Sequence, residues 1–307
     1  MLAFAARRLL IALPTLWVLV TLSFFLMHTA PGGPFDRERQ LPAEIEAALQ
    51  AEYHLDEPVT KQYLRYLGGV LRGDLGPSFQ YSGFRVSELI VAGAPVSLTL
   101  GLAALLFALL CGVVLGTLAA LKRNTGIDHA VMLLAMTGIS VPAYVIAPLM
   151  ILLFAVTLGW LPAGGWSGGG LAVIVLPVFA LAAAQIATIA RLARGSLIEV
   201  MSANYIRTAR AKGLPEHLVV LRHALKPALL PVLSYLGPAA AGLITGSVVI
   251  EQIFGIPGLG RYFVQGALNR DYTLVLGVVL FYGAVVILFN FLVDLLYGAL
   301  DPRVRPA

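Results

Sequence analysis

Charged residues are scarce in this chain of 307 residues. They make up 12% of the sequence, whereas 59% is apolar and the mean hydropathy is +0.88. A soluble protein is typically about one quarter charged. Because one core cannot hide so many apolar side chains from water, the composition predicts an all-α integral membrane protein. The net charge of +5 fits membrane topology better than nucleic-acid binding, as its placement shows below.

The sequence lacks the residues needed for a disulfide, for ATP binding, for a metal site and for an activated serine. The single cysteine, Cys111, excludes an internal disulfide and is expected to pack as a small apolar residue. No lysine follows a glycine, so the chain has no Walker A loop for ATP. The five histidines have no metal-site spacing, and none lies deep in an apolar run where it could activate a serine. We therefore predict a non-catalytic chain that binds no metal and no cofactor.

Long apolar runs dominate the sequence instead. A helix of about 20 mostly apolar residues crosses the hydrocarbon core of a bilayer, and six segments qualify. Five carry no charge and the sixth carries only Asp294, while internal prolines predict kinks. The first run lacks a signal-peptide cleavage site and is expected to remain as a membrane helix. The predicted spans are 9–27, 95–121, 130–158, 171–190, 228–250 and 272–300.

Lysine and arginine are concentrated in the connections that lie on one side of these six spans. Arg7 and Arg8 precede the first span, Lys122 and Arg123 follow the second, and the connection 191–227 is dense in cations. Cytoplasmic loops carry such an excess. The pattern predicts that both termini are cytoplasmic, which agrees with an even number of spans.

The first external connection, 30–94, is long and has helical patterning. One helix is predicted to begin near Pro42, and a second to run over 58–71 with Tyr63, Leu64, Leu67 and Leu71 facing inward. Two interpretations remain open for this segment. It could shield the membrane helices, or it could provide a docking surface for an external partner.

The fourth connection, 191–227, combines an amphipathic helix with a sharp stop. Ile206 interrupts the pattern, so two helices are expected rather than one, and Gly213 followed by Leu214 and Pro215 ends the segment before another short helix. A helix lying on lipid would explain the cations but not this stop. On a helical wheel Leu197, Met201, Tyr205 and Thr208 fall on one side, and Glu199, Arg207 and Arg210 on the other.

Two further features lie near the last two spans. The glycine-rich segment 251–271 follows a membrane helix rather than a strand, so a turn at a pore mouth is favoured over a phosphate cradle. Asp294 is an acid inside a span, where function is the default hypothesis. A structural pair with Arg191, Arg194 or a loop cation is favoured, and a proton or substrate site is the alternative. The residues of the predicted turn are Glu251, Phe254, Pro257, Gly258 and Gly260.

The cytoplasmic run 204–213 resembles the EAA loop of binding-protein-dependent ABC importer permeases. In the peptide branch of that family the loop reads close to Arg-Thr-Ala-Arg-Ala-Lys-Gly, and here Arg207, Thr208 and Ala209 take the places of Glu-Ala-Ala while Gly213 is the motif glycine. Leu225-Lys226-Pro227 ends the motif one residue later than the general form. Similar matches occur at Arg7-Arg8, Leu13-Pro14-Thr15, Ala30-Pro31-Gly32, 73–78, the residues of the predicted turn and Asp301-Pro302-Arg303.

The resemblance is closest to the B-type subunits of oligopeptide permeases and implies a type I ABC importer permease fold in a bacterial inner membrane. It implies a second permease subunit, two ATPase subunits that use ATP and Mg, and an external binding protein that delivers peptide. The run 204–213 would be the coupling helix on the ATPase. The residues implied in coupling are Asn204, Tyr205, Arg207, Thr208, Ala209, Arg210 and Gly213.

The predicted organisation follows from these segments. Residues 1–29 form the first membrane helix, 30–94 the external helical segment, 95–301 the permease core with its coupling loop 191–227, and 302–307 a cytoplasmic tail. The alternatives are a stand-alone secondary transporter, an intramembrane enzyme, or a relative that carries dipeptide, glutathione or nickel.

Overall fold

The computed structural model describes residues 2–29, 32–34, 48 and 50–300, which form helices and loops with one isolated β-bridge between Pro77 and Arg85. The chain divides into two compact units. Of the described residues, the core unit contains 98–256 and 288–300, and the flanking unit contains those within 2–97 and 257–287. Most of the predicted helix after Pro42 and the predicted tail 302–307 lie outside the described residues.

The described residues form twelve α-helices, numbered in chain order. They are α1 (Leu2–Thr29), α2 (Val59–Leu71), α3 (Val86–Leu121), α4 (Gly126–Ser140), α5 (Ala143–Met150), α6 (Leu171–Met201), α7 (Asn204–Ala211), α8 (Glu216–Leu218), α9 (Leu225–Ala228), α10 (Leu230–Ile253), α11 (Leu259–Leu268) and α12 (Tyr272–Leu300). Ile151–Thr157 and Val219–Ala224 are π-helical, and Ser167–Gly169 is a 3₁₀ turn.

Helix α6 is the centre of the core unit, where it packs against α4, α5 and α10. Small residues let these helices approach closely, as they commonly do in membrane proteins. A Cβ on Gly112 of α3 would lie 2.7 Å from Ile189, and one on Gly138 of α4 would lie 2.9 Å from the Ala183 carbonyl oxygen. Side chains at these glycines would therefore push α3 and α4 away from α6.

In the flanking unit, α2 packs on α1 through aromatic and hydroxyl groups. The Tyr63 hydroxyl lies 2.8 Å from Thr21 Oγ1, and the Tyr63 ring makes an edge contact with Phe24. The prediction of a helix over 58–71 is confirmed, but its inward face was partly wrong. Leu64 and Leu71 are 65% and 81% exposed, because contact with α1 turns the Tyr63 and Tyr66 side of the helix inward.

Within the described part of the chain, five single helices are long and apolar enough to cross a membrane, and a sixth span arises if one bent pair is counted as a single crossing. That pair is Gly126–Ser140 and Ala143–Thr157, bent by 104°. The predicted span 130–158 is therefore not one continuous helix. Pro142 stands immediately before α5 with extended backbone, and because it has no N–H it cannot continue the hydrogen bonding of α4.

Candidate functional site

The segment predicted to couple to an ATPase, called the coupling segment below, is the part of the core unit that runs from the end of α6 to α9. Helix α6 extends past the predicted limit at Ala190 to Met201 and then stops. The Ser202 hydroxyl donates to the Glu199 carbonyl oxygen at 2.6 Å, and Ala203 has extended backbone. α7 then begins at Asn204, which confirms the expectation that this connection is not one unbroken helix.

The buried face of α7 consists of Ile206 and Ala209, which are 0% and 7% exposed. The grouping of Tyr205 and Thr208 on one side with Leu197 was wrong, since Leu197 is buried whereas both of the others are exposed. The wheel assumed that the period of α6 continues, whereas the break at Ser202 and Ala203 resets its phase. The residues that pack around Ile206 and Ala209 are Leu197, Val219, Ala224 and Ala228.

The opposite face of α7 is polar and open to solvent. Asn204, Tyr205, Arg207, Thr208 and Arg210 are all exposed. This helix therefore has its apolar side fixed on the membrane bundle and its polar side available for contact. The predicted coupling residues thus divide into an outward polar set and Ala209, which is buried.

Arg210 already has a partner in its own chain. Its Nε and Nη2 donate to the two carboxylate oxygens of Glu216 at 3.1 and 2.6 Å. The hydrogen bond from Arg210 lowers the pKa of Glu216 below its ordinary value. Both side chains are largely exposed, so the pair is screened by solvent and holds the turn between α7 and α8 only weakly.

Gly213 terminates α7 in the left-handed conformation, with φ of +79°. Its N–H donates to the Arg210 carbonyl oxygen at 2.9 Å, and the Leu214 N–H reaches the Ala209 carbonyl oxygen at 3.4 Å. This is the Schellman pattern in which glycine follows a helix end. The predicted stop is confirmed, and Pro215 then leads into α8.

Asp128 and Arg194 form an ion pair that sequence reasoning did not identify. Arg194 Nε and Nη2 donate to the two Asp128 oxygens at 2.5 and 2.7 Å, and the Asn124 N–H donates to the same carboxylate at 2.9 Å. Asp128 is 1% exposed. The pair ties the start of α4 to α6 one turn before Leu197, and so to the base of the coupling segment. Arg194, one of the cations proposed for Asp294, thus donates its Nε and Nη2 groups to Asp128.

The predicted turn 251–271 is two separate structures. In the core unit Glu251 and Phe254 are buried, and the Phe254 carbonyl oxygen accepts from the Gly165 N–H at 2.7 Å. In the flanking unit the segment forms α11, which a simple turn does not include. Pro257 and Gly258 precede that helix, Gly260 is buried in its first turn, and the Leu259 N–H donates to Ser97 Oγ at 2.8 Å.

A second unpredicted carboxylate organises the flanking unit. Asp271 is fully buried, accepts from Ser78 Oγ at 2.5 Å and from the Gln80 N–H at 3.0 Å, and caps α12 through the Leu274 N–H at 3.1 Å. It therefore anchors the external segment to the start of α12. Within the described part of the chain, no group of His, Cys, Asp and Glu side chains could hold a metal ion.

Comparison with known proteins gives consistent matches. A family model described as a binding-protein-dependent transport system inner membrane component matches residues 112–306. The oligopeptide transport system permease protein OppB of Salmonella typhimurium is 56% identical over 305 residues, which are 99% of this chain and 100% of that protein. The dipeptide transport system permease protein DppB of Bacillus subtilis is 45% identical over 291 residues, covering 95% and 94% of the two chains.

Solved structures agree on the fold. An inward-facing conformation of the MetNI methionine ABC transporter superposes with a TM-score of 0.60 at 21% identity, over 69% of this chain and 96% of that one. The all-helical membrane architecture is therefore that of a type I ABC importer permease. The chain belongs to the family of binding-protein-dependent transport system inner membrane components.

Proposed function

We propose that this chain is the permease subunit of an ATP-binding cassette importer that carries oligopeptides across the bacterial inner membrane into the cell. The chain itself has no catalytic role in this proposal. A second permease subunit completes the pore, two ATPase subunits bind and hydrolyse ATP with Mg²⁺, and an external binding protein delivers peptide. Both termini lie in the cytoplasm.

The coupling segment is the observation that carries the proposal. α7 buries Ile206 and Ala209 against α6 and α9 while presenting Asn204, Tyr205 and Arg207 outward. An ATPase that binds the outward face can therefore move the membrane helices through rigid contact. Packed helices have discrete positions rather than a continuum, so a small displacement can switch the pore between its two orientations.

Overall similarity supports peptide as the substrate. The relatives that match over nearly the whole chain are named for oligopeptide and dipeptide transport. The higher identity lies with the oligopeptide protein, and we therefore place oligopeptides first and dipeptides second. Transport of glutathione or nickel has no such support among these relatives.

Reconstitution tests this function. The chain is purified together with a second permease, the ATPases and a binding protein, and placed in proteoliposomes. We expect uptake of a labelled short peptide only when ATP and the binding protein are present. Competition by unlabelled peptides of graded length then defines the substrate class. Uptake by this chain alone, driven by a proton or sodium gradient, would establish a secondary transporter instead.

A further inference from the structure

A glutamine side chain lies inside the apolar part of the core unit with its amide nitrogen unpaired. Gln185 precedes Arg191, the first cation of α6, by roughly 9 Å along the helix. The Tyr235 hydroxyl of α10 lies 2.6 Å from Gln185 Oε1. Among the described residues nothing accepts a hydrogen bond from Nε2, and this atom is not one of the buried unpaired ones. The amide N–H groups therefore point to open space.

The face of α10 beside this amide differs from the lipid-facing sides of other helices. A Cβ on Gly242 would lie 3.6 Å from Gln185 Nε2, in ordinary contact. The exposed residues of α1 and α3 are mainly large and apolar, as lipid requires. Those of α10 are small or polar for most of its length, namely Pro231, Ser234, Pro238, Gly242, Thr245, Gly246 and Gln252, and Val249 is the apolar exception.

Hydrocarbon offers no acceptor for the two N–H groups of a primary amide. An unsatisfied polar group in lipid costs several kcal/mol, so this face of α6 and α10 must meet water or another polar molecule. A peptide backbone supplies one carbonyl acceptor at every residue. From this we infer that Gln185, held by Tyr235 and opposite Gly242, is a binding station for the backbone carbonyls of the transported peptide. This inference rests on the proposed function.

The chemistry of the station fits a carrier of varied peptides. Each peptide bond presents the same acceptor, so an amide donor binds the backbone without reading side chains. The Tyr235 hydroxyl fixes the orientation of the Gln185 amide and is a positioning residue. Gly242 leaves room for the passing chain next to Nε2. None of these roles needs a charge inside the membrane.

Transport kinetics test the station in the complete importer. Gln185→Leu removes the donors at similar volume, and we expect subsaturating uptake to fall about fivefold, the factor for one typical hydrogen bond. The loss should be similar for peptides with acidic, basic and apolar side chains. Thr188→Val is the matched control, since its hydroxyl already donates to the Ala184 carbonyl oxygen at 3.0 Å. Tyr235→Phe should show a smaller loss. Wild-type uptake by Gln185→Leu would overturn the station.

Crosslinking distinguishes two roles for this face of α6 and α10: it lines the path of the peptide, or it contacts the second permease subunit. Gly242→Cys is made in a Cys111→Ala background and exposed to a short peptide carrying a thiol-reactive group during ATP turnover. Capture of the peptide, reduced by unlabelled peptide, supports the station. Capture of the second permease by a bifunctional reagent at all stages, without peptide capture, would make this face a subunit interface. If the wild-type complex carries no peptide at all, the proposed function fails rather than the station alone.

Discussion

Single residues decide how the coupling segment is fixed to the membrane helices. Asp128 is buried at the start of α4, and its two oxygens face the planar guanidinium of Arg194 in a bidentate arrangement. Such pairs are specific in geometry as well as in charge. Because Arg194 stands one turn before Leu197, the pair sets the position of α6 at the point where the α7 cluster begins.

The first prediction concerns this pair. Asp128→Asn leaves the Arg194 guanidinium without its counter-charge, and removing one partner of a buried pair costs about 3 kcal/mol. We expect the purified complex to unfold at a lower temperature in detergent, with reduced coupling of ATP hydrolysis to peptide. Asp128→Asn combined with Arg194→Gln should be less destabilised than the sum of the single changes. An unchanged melting curve for Asp128→Asn would show that the ion pair contributes nothing to the stability of the complex.

Residues such as Asp128 also mark the limit of prediction from the sequence. Five of the six spans, the polar loop and the glycine stop follow from local pattern and are confirmed, whereas the span 130–158 is a bent pair of helices. Pairing between residues distant in the chain has no local signal, so Asp128 and Asp271 were missed. The only hint was that each acid stands at a helix start, where carboxylates are favoured.

At the scale of elements, the remaining differences between prediction and structure arise because the wrong face of a helix was expected to be buried. The helical wheel grouped Tyr205 with Leu197 because it carried the period of α6 through a break. Leu64 was expected to face inward because apolar residues were assumed to be buried. Two exposed leucines are ordinary on one helix, and tertiary contacts chose the other face of α2. Pro142 predicted a kink, but not a bend of 104°, because the angle depends on packing and not on proline alone.

The second prediction concerns the end of α7. A β-branched residue at φ of +79° is strained, although no atom would collide with its Cβ. Gly213→Val should therefore displace α8 by changing the backbone. We expect complexes that assemble in the membrane but lose transport and substrate-stimulated ATP hydrolysis together.

Two control variants separate backbone strain from added bulk. Gly213→Asn should retain much of the activity, because asparagine tolerates the left-handed region. Gly195→Val places the same side chain on α6, where φ is not positive and no neighbour lies within 4 Å; it should transport normally. Normal transport by Gly213→Val with ATPases bound would exclude α7 as the coupling helix.

For the whole molecule, the third prediction is the orientation in the membrane. Single cysteines replace Arg123 and Trp160 in a Cys111→Ala background, and intact cells are treated with an impermeant maleimide. The charge distribution places Arg123 in the cytoplasm and Trp160 outside, so only the second cysteine should be labelled before the cells are opened. Labelling of the first cysteine in intact cells would invert the topology.

The fourth prediction assigns a partner to the external segment, of which residues 42–87 are expected to contact the binding protein. Leu64 and Leu71 lie on the same side of α2, two turns apart, and expose apolar surface that the flanking unit does not cover. Arg65 is less suitable as a contact, because it binds Glu57 at 2.7 Å. Asp271 binds the loop that follows α2 to the start of α12. The surface formed by Leu64 and Leu71 is therefore held in a fixed position within the flanking unit.

Photocrosslinking in the intact complex tests that assignment. A photoreactive amino acid at Leu64 or Leu71 should capture the peptide-loaded binding protein, whereas one at Tyr66, whose ring packs on Phe24 of α1, should not. Replacing both exposed leucines by serine should weaken delivery of peptide without altering the basal ATPase rate, since the coupling segment is untouched. If neither position captures the binding protein and the serine variant delivers peptide normally, the segment is a shield over the membrane helices and the docking surface lies elsewhere.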